Sequence, residues 1–251
     1  MVRVRFIHHS CFTVEFPDKV LIFDYFSGDR VNGFSFEGKL PDYPKDMPLY
    51  FFASHSHRDH FDMDILRFAV QYEKVHYVLS KDTKMSRHFL AKHGYDLNVL
   101  LPHITYVNPT EDYTVDDLKI HTLRSTDAGV AFVVETNEKL IYHAGDLNWW
   151  KYEGAGDLIN GKSEREYKHQ LHYLDDKIVN FAFVVMDPRL GKDAFLGFQY
   201  FMKNVMADHV FPMHMWQDYS FIERYRAMTD NKAYTERIEQ ITGENQVFEF
   251  S

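Results

Sequence analysis

The chain has 251 residues, 45% of them apolar and 26% charged, a globular composition that excludes disorder, collagen-like repetition and a disulfide-stapled miniprotein. Its 28 basic and 37 acidic residues leave a net charge of −9, which repels a phosphate backbone, and no Lys/Arg run compensates, so no nucleic-acid partner is expected. No apolar stretch reaches the roughly 18 residues of a membrane span, the opening MVRVRFIHHSCFTVEF has no secretory pattern, and the single cysteine, Cys11, has no internal partner. A cytoplasmic protein without a membrane partner is the expectation.

Alternation of apolar and polar residues predicts short strands at Val2–Phe6 and Phe12–Phe16, then Lys19–Asp24 after a Pro-Asp turn. Ser27–Pro48, with three glycines and three prolines, reads as a loop. Leu49–Ala53 (LYFFA) is a buried-strand run, and Asp62–Glu73 has helical spacing at Ile65, Phe68, Ala69 and Tyr72. Val75–Leu79 is a further strand, followed by a helix over Lys81–His93 that ends at Gly94. Strands return at Lys119–Leu123, Val130–Glu135 and Lys139–His143, the last two joined by a tight turn. Glu164–Leu174 reads as a helix and Val179–Met186 as a strand covered on both faces. Phe195–Met206 is a helix, His209–Pro212 a strand, and Ser220–Met228 and Tyr234–Ile241 helices. Interspersed strands and helices with no linker predict one layered α/β domain over residues 1–251.

The unusual count is 15 histidines, and the decisive segment is Ser54-His55-Ser56-His57-Arg58-Asp59-His60, which directly follows LYFFA. In extended backbone His55 and His57 project to one side, and a turn can then present Asp59 and His60 nearby. Imidazole nitrogen together with carboxylate oxygen suits zinc, manganese or iron better than a thiolate-seeking ion. A merely solvated polar loop is the competing reading, and its placement after a buried strand weighs against it.

The segment resembles the H-x-H-x-D-H signature of the metallo-β-lactamase superfamily. Tyr142-His143-Ala144-Gly145-Asp146 is similar to that family's Gly-Asp strand end, and Phe211-Pro212-Met213-His214 to its late histidine strand end. Ile7–Phe12 (IHHSCF) and Leu21–Asp24 (LIFD) resemble the opening strands of the branch that includes ascorbate-6-phosphate lactonase-like hydrolases. The resemblance spans roughly residues 1–216. It implies a four-layer αββα sandwich with one or two divalent metals, zinc foremost and manganese or iron as alternatives. By resemblance His55 and His57 hold one metal, Asp59, His60 and His214 the second, and Asp146 bridges them. Asp59 is also the expected catalytic residue, as ligand or as base toward a bridging water.

One position departs from the pattern: where most relatives place a third histidine for the first metal, Arg124–Gly129 carries Asp127. An oxygen ligand there, direct or through water, would favour harder ions such as manganese; capping of the Gly129 turn is the competing role. His121, within a strand, and His103, after Pro102, are expected to be structural. Asp24 ends a strand near the metal edge, where it could orient a ligand histidine or form a turn. His8 and His9 lie toward the same edge, and lining of the pocket by either is the less favoured reading. Trp149, Trp150 and Trp216 follow the Asp146 and His214 motifs, either at the rim of a substrate pocket or in the core. Arg189, after the Val179–Met186 strand, either clamps an anionic substrate group or pairs with an acidic neighbour.

The resemblance implies a metal-dependent hydrolase that turns a metal-activated hydroxide on a small-molecule ester, lactone, amide or phosphodiester. The alternatives are a non-catalytic metal- or ligand-binding module and a nuclease-like phosphodiesterase, the latter needing a basic channel that the sequence does not show. Nothing in the sequence sets the oligomeric state.

Overall fold

Strands β1 (Val2–His8), β2 (Cys11–Glu15) and β3 (Val20–Phe23) form an antiparallel meander, its second turn closed by the Phe16 N–H on the Lys19 carbonyl. The structure is a computed structural model describing residues 1–28, 31–228 and 232–251, so residues 29 and 30 of the expected Ser27–Pro48 loop lie outside the described residues. Strands β4 (Leu49–Ala53), β5 (Val75–Ser80) and β6 (Ile104–Val107) then add in parallel to β3. The last strand of the chain, Gln246–Phe250, pairs antiparallel with β1 and completes a seven-stranded sheet. Contacts gather these strands, Met1–Asn108 and Glu244–Ser251, into one compact unit, and Pro109–Gly243 into a second.

Parallel neighbours need crossovers, and in the first unit these are short. Asp62 caps a 3-10 helix, Met63–Val70, where the sequence spacing predicts Asp62–Glu73. The expected Lys81–His93 helix is instead a 3-10 turn, Lys81–Thr83, and helix α1 (Arg87–Lys92). Ser86 restarts the chain there: its hydroxyl accepts the Phe89 N–H as an N-cap. A second short helix, α2 (Leu97–Leu100), follows. Ile22, Phe51, Tyr77 and Leu79 pack with Ile65, Leu66 and Leu90 in one core cluster, the alternate residues of each strand meeting the crossovers.

The second unit repeats the plan. Strands β7 (Asp112–Val115), β8 (Leu118–Arg124), β9 (Val130–Thr136) and β10 (Lys139–His143) form an antiparallel meander. Strands β11 (Ile178–Val185) and β12 (Met206–Met213) continue in parallel. Helix α3 (Gly156–Leu171) crosses from β10 to β11, and α4 (Leu196–Asn204) crosses from β11 to β12. Helix α3 starts well before the expected Glu164, and Met206 opens β12 rather than closing α4. Helix α5 (Phe221–Met228) falls where expected. The expected Tyr234–Ile241 helix does not: helix α6 (Lys232–Thr235) stops early, and Ile238 forms a bridge with Val210 of β12. Backbone pairing with a strand edge outcompetes helical bonds there. Among the described residues no helix is long and apolar enough to cross a membrane.

In both units the parallel strands end where polar residues begin: Asp24 after β3, Ser54–His60 after β4, Asp146 after β10, Asp187 after β11 and His214 after β12. Carboxyl ends of parallel strands are the usual place for ligand sites in open α/β sheets.

The buried strands make this scaffold. Phe51 is 1% exposed and packs against Phe68 and Tyr77 at ring-centroid distances of 4.9 and 5.6 Å. Phe51→Ala is expected to destabilise the first unit by about 3–5 kcal/mol, read from chemical denaturation. A change below about 1 kcal/mol would mean that the cluster is not a packed core.

Candidate metal centre

The donors on the first unit are built around one carboxylate. Asp24, fully buried and in the left-handed region (φ 47°), closes β3 beside the end of β4. Its Oδ1 accepts the Ser54 N–H at 2.7 Å and its Oδ2 the Ser54 hydroxyl at 2.7 Å. His60 Nδ1 lies 2.7 Å from the same Oδ2. A carboxylate only accepts, so His60 carries its proton on Nδ1 and its lone pair on Nε2. The Ser54 hydroxyl donates its one hydrogen bond to Asp24, so at 2.9 Å it accepts from His55 Nδ1. His55 is thereby also left with its lone pair on Nε2.

The loop that follows is folded tightly. The His60 and Phe61 N–H groups both donate to the His57 carbonyl, which makes the turn expected after the strand. The Ser56 N–H donates to Asp82 Oδ2 at 2.9 Å, tying the loop to the residues after β5. His55 Nε2 and His57 Nδ1 come within 3.0 Å of each other. Asp59 Oδ2 lies 3.9 Å from His60 Nε2 and 3.4 Å from His9 Nε2. Thus His55 pairs with His57, while Asp59 and His60 group with His9. A cavity of about 320 Å³ opens beside the loop, lined by Phe26, Ser27, Arg58, Phe61, Asp62 and Met63 among others.

The second unit supplies Asp146 and His214. Asp146 follows β10 through a turn closed by the Leu147 N–H on the Ala144 carbonyl. The Asp146 carbonyl accepts the Trp150 Nε1–H at 2.9 Å. The Thr126 hydroxyl donates to the Asn148 carbonyl and accepts the Asn148 N–H, so the loop after β8 is fastened to the Asp146 loop. Gly197 in α4 leaves room for that loop, because a Cβ at this position would collide with Asn148 Oδ1.

His214 closes β12 at φ 65°, with its Nε2 3.3 Å from Asp146 Oδ1 and its Nδ1 3.0 Å from Asp187 Oδ2. Asp187 repeats the part played by Asp24, since it too accepts an Nδ1–H and leaves the lone pair on Nε2. Burial alone pushes the Asp187 carboxyl up, but hydrogen bonds and charge from His214 and Arg189 outweigh it and hold the group well below the usual carboxylate range. Arg189 grips Asp187 with Nε and Nη2, at 3.0 and 2.6 Å from Oδ2, and its guanidinium stacks 4.5 Å from the Trp216 ring centroid.

Several sequence expectations find definite places. Arg189 spends its fork on Asp187, the acidic-neighbour role. Trp216 is 4% exposed and packs edge-on to His214, and Trp149 lies under the Lys168 ammonium of α3. Asp127 is exposed, with its backbone N–H on Ser125 Oγ, and stands outside the close donor groups found among the described residues. His121 sits on Asp112 and stacks on Tyr173. His9 is the residue that the sequence underweighted. Its signal was the His8-His9 pair at a strand end, but only the turn geometry singles out the second.

A chain with two mixed sheets and paired His/Asp donors at the carboxyl ends of its parallel strands has the fold and donor chemistry of a metallo-β-lactamase-type protein. The chain belongs to the β-lactamase superfamily: the model of the Beta-lactamase superfamily domain matches residues 3–150, more than half its length. No curated protein matches it by sequence. Among solved structures it is similar to Igni18, a metallo hydrolase from Ignicoccus hospitalis, at 16% identity and TM-score 0.64, with 100% of this chain and 99% of that one covered. The metallo-β-lactamase fold protein YhfI from Bacillus subtilis matches at 14% identity and TM-score 0.59, covering 99% and 100%. An isothiocyanate hydrolase from Delia radicum gut bacteria matches at 15% identity and TM-score 0.53, covering 99% of each chain.

The Asp24 relay has a direct spectroscopic consequence. In nitrogen-15 NMR of the metal-free protein, His55 and His60 are expected as Nδ1–H tautomers. Asp24→Asn is expected to return both rings toward the mixed tautomers of free imidazole, since an amide cannot accept through both of its heavy atoms. Unchanged tautomers in a folded Asp24→Asn protein would remove Asp24 from this role.

Proposed function

We propose that this chain is a metal-dependent hydrolase of small molecules that holds one or two divalent metals with the residues its family's motif series implies. The observation that carries the reading is the shared tautomer lock, in which Asp24 fixes His55 and His60, and Asp187 fixes His214, each with Nε2 as the lone-pair nitrogen. The donor set fits divalent metal. Two nitrogens bound to one ion at about 2.0–2.1 Å lie about 2.9–3.4 Å apart, and His55 Nε2 and His57 Nδ1 are 3.0 Å apart.

By that resemblance His55 and His57 would hold one metal, and Asp59, His60 and His214 a second, with Asp146 between them. Zinc is the proposed metal, with manganese or iron as alternatives. When bound, a divalent metal supplies a Lewis acid and lowers the pKa of its water toward about 7. The protein's own contribution is positional. Asp59 orients the attacking water and accepts its proton, and the buried imidazoles keep donor geometry fixed through the reaction. Asp127 acts through a water, its loop held to the Asp146 loop by Thr126.

The cavity of about 320 Å³ beside the histidine loop suits a small molecule. Together with the net charge of −9 it supports an ester, lactone, amide or phosphodiester substrate over a nucleic acid. The opening-strand motifs support placement near the lactonase-like branch. Both units together form the proposed catalytic domain, and the compartment is proposed to be the cytoplasm.

Purified protein is expected to hold up to two equivalents of divalent metal, and chelation is expected to abolish hydrolysis across lactone, ester, amide and bis-phosphodiester panels while lowering the Tm. Protein that binds no divalent metal under any loading condition would sink the reading. Asp127→Asn is expected to weaken the metal at His55 and His57 selectively, shifting its preference from manganese toward zinc. Equal metal content and preference in the variant would leave Asp127 a loop residue only.

A further inference from the structure

We infer that His9 is an additional protein ligand, through Nε2, to the metal held by Asp59 and His60. The inference rests on the metal-dependent reading above and enlarges its ligand set by a residue outside the H-x-H-x-D-H run.

His9 sits in the turn between β1 and β2, a place where side chains ordinarily face water. Here the residue is 2% exposed. Its φ of 48° is the conformation that hairpin turns usually give to Gly or Asn, so an imidazole there is held against a local preference. The turn folds the ring inward, against Phe36 at 5.4 Å and edge-on to His60 at 5.7 Å between ring centroids. Chain reversal thereby carries an imidazole to the end of the sheet occupied by Asp59 and His60.

Distances decide what that imidazole does. His9 Nε2 stands 3.4 Å from Asp59 Oδ2, longer than the roughly 2.7–3.2 Å of a well-made N–H···O bond. His60 Nε2 stands 3.9 Å from the same oxygen. Ligand atoms about 2.0–2.2 Å from a common ion are separated by about 2.9 Å at a right angle and by about 3.4–4.0 Å at wider angles. Both observed separations fall in that range, and the three atoms lie within 4.8 Å of one another. Two imidazoles and one carboxylate on a single unit make a three-donor site of the kind that holds zinc or ferrous iron.

The competing role, in which His9 only donates a hydrogen bond to Asp59, makes opposite predictions. In nitrogen-15 NMR of the wild-type protein, titration with zinc is expected to move the His9 Nε2 resonance into the range of a metal-bound nitrogen. A protonated Nε2 that persists in the zinc-loaded protein overturns the inference. In parallel, His9→Asn keeps the left-handed turn accessible and removes the ring. It is expected to lower zinc affinity at one of the two sites by at least about tenfold and to change the visible spectrum of the cobalt-substituted protein. His9→Gln, which can still donate to Asp59, is expected to behave like His9→Asn; recovery of wild-type affinity and spectrum by His9→Gln overturns the ligand role. Wild-type protein that binds neither zinc nor cobalt fails the broader metal reading instead, so the two failures are distinguishable.

Discussion

A neutral imidazole has one lone pair, and it can be aimed only if the opposite nitrogen has its proton held elsewhere. That constraint organises the candidate site. Asp24 holds His60 directly and His55 through the Ser54 hydroxyl, and Asp187 holds His214. Each carboxylate closes a strand that runs parallel to the strand bearing its histidine: β3 beside β4, and β11 beside β12. Parallel pairing finishes neighbouring strands at the same edge, so the orienting acid and the oriented imidazole arrive together. An antiparallel neighbour would end at the opposite edge and offer a turn instead.

The repeated plan of the two units follows from the same requirement. An antiparallel meander opens each sheet, and the parallel strands that complete it carry the polar ends. Buried strands such as LYFFA bring those ends into low-dielectric surroundings, where charge-assisted hydrogen bonds are strong and unpaired polar groups are expensive. Backbone conformation shows where the fold departs from local preference. Asp24, His9, His214 and Trp216 all have positive φ, at 47, 48, 65 and 50°. Asp and His tolerate that region, but for a bulky Trp it costs of order 1–3 kcal/mol. Other non-glycine residues with positive φ, such as Thr110, Asp116, Asn137 and Glu138, sit in loops and turns, so these strand ends share the left-handed conformation with ordinary chain reversals.

Much of this was legible in the sequence. The buried strands β3, β4 and β11 announce themselves by composition, and His55, His57, Asp59 and His60 by spacing. The later strand ends at Asp146 and His214 were found because their motifs occur in order. What escaped was set by tertiary pairing. Strands β6, β7 and Gln246–Phe250 are partly exposed and only four or five residues long, too short for a periodic pattern to stand out. The Lys81–His93 helix broke because Ser86 caps a new start, and Tyr234–Ile241 lost its helix to pairing with β12. An orienting part for Asp24 was one of two readings of its strand end, but its hold on two histidines at once was not, because His60 is 36 residues away and only the sheet joins them. His9 was obscured for a related reason, since burial of a turn residue is a property of the whole sheet end.

Arg189 and Trp216 show how the His214 strand end is held in place. An arginine four residues after a buried strand, at a sheet edge, suggests an anion clamp, and a tryptophan after a metal-type histidine suggests a stacking wall. Both are engaged in framing. The guanidinium fork suits the Asp187 carboxylate in a way that a lysine ammonium cannot, and its flat face lies on the Trp216 ring. Trp216 in turn packs edge-on to His214, so arginine, aspartate, tryptophan and histidine brace one another. Any movement of these braced side chains would redirect the His214 lone pair, so the four residues hold its direction together.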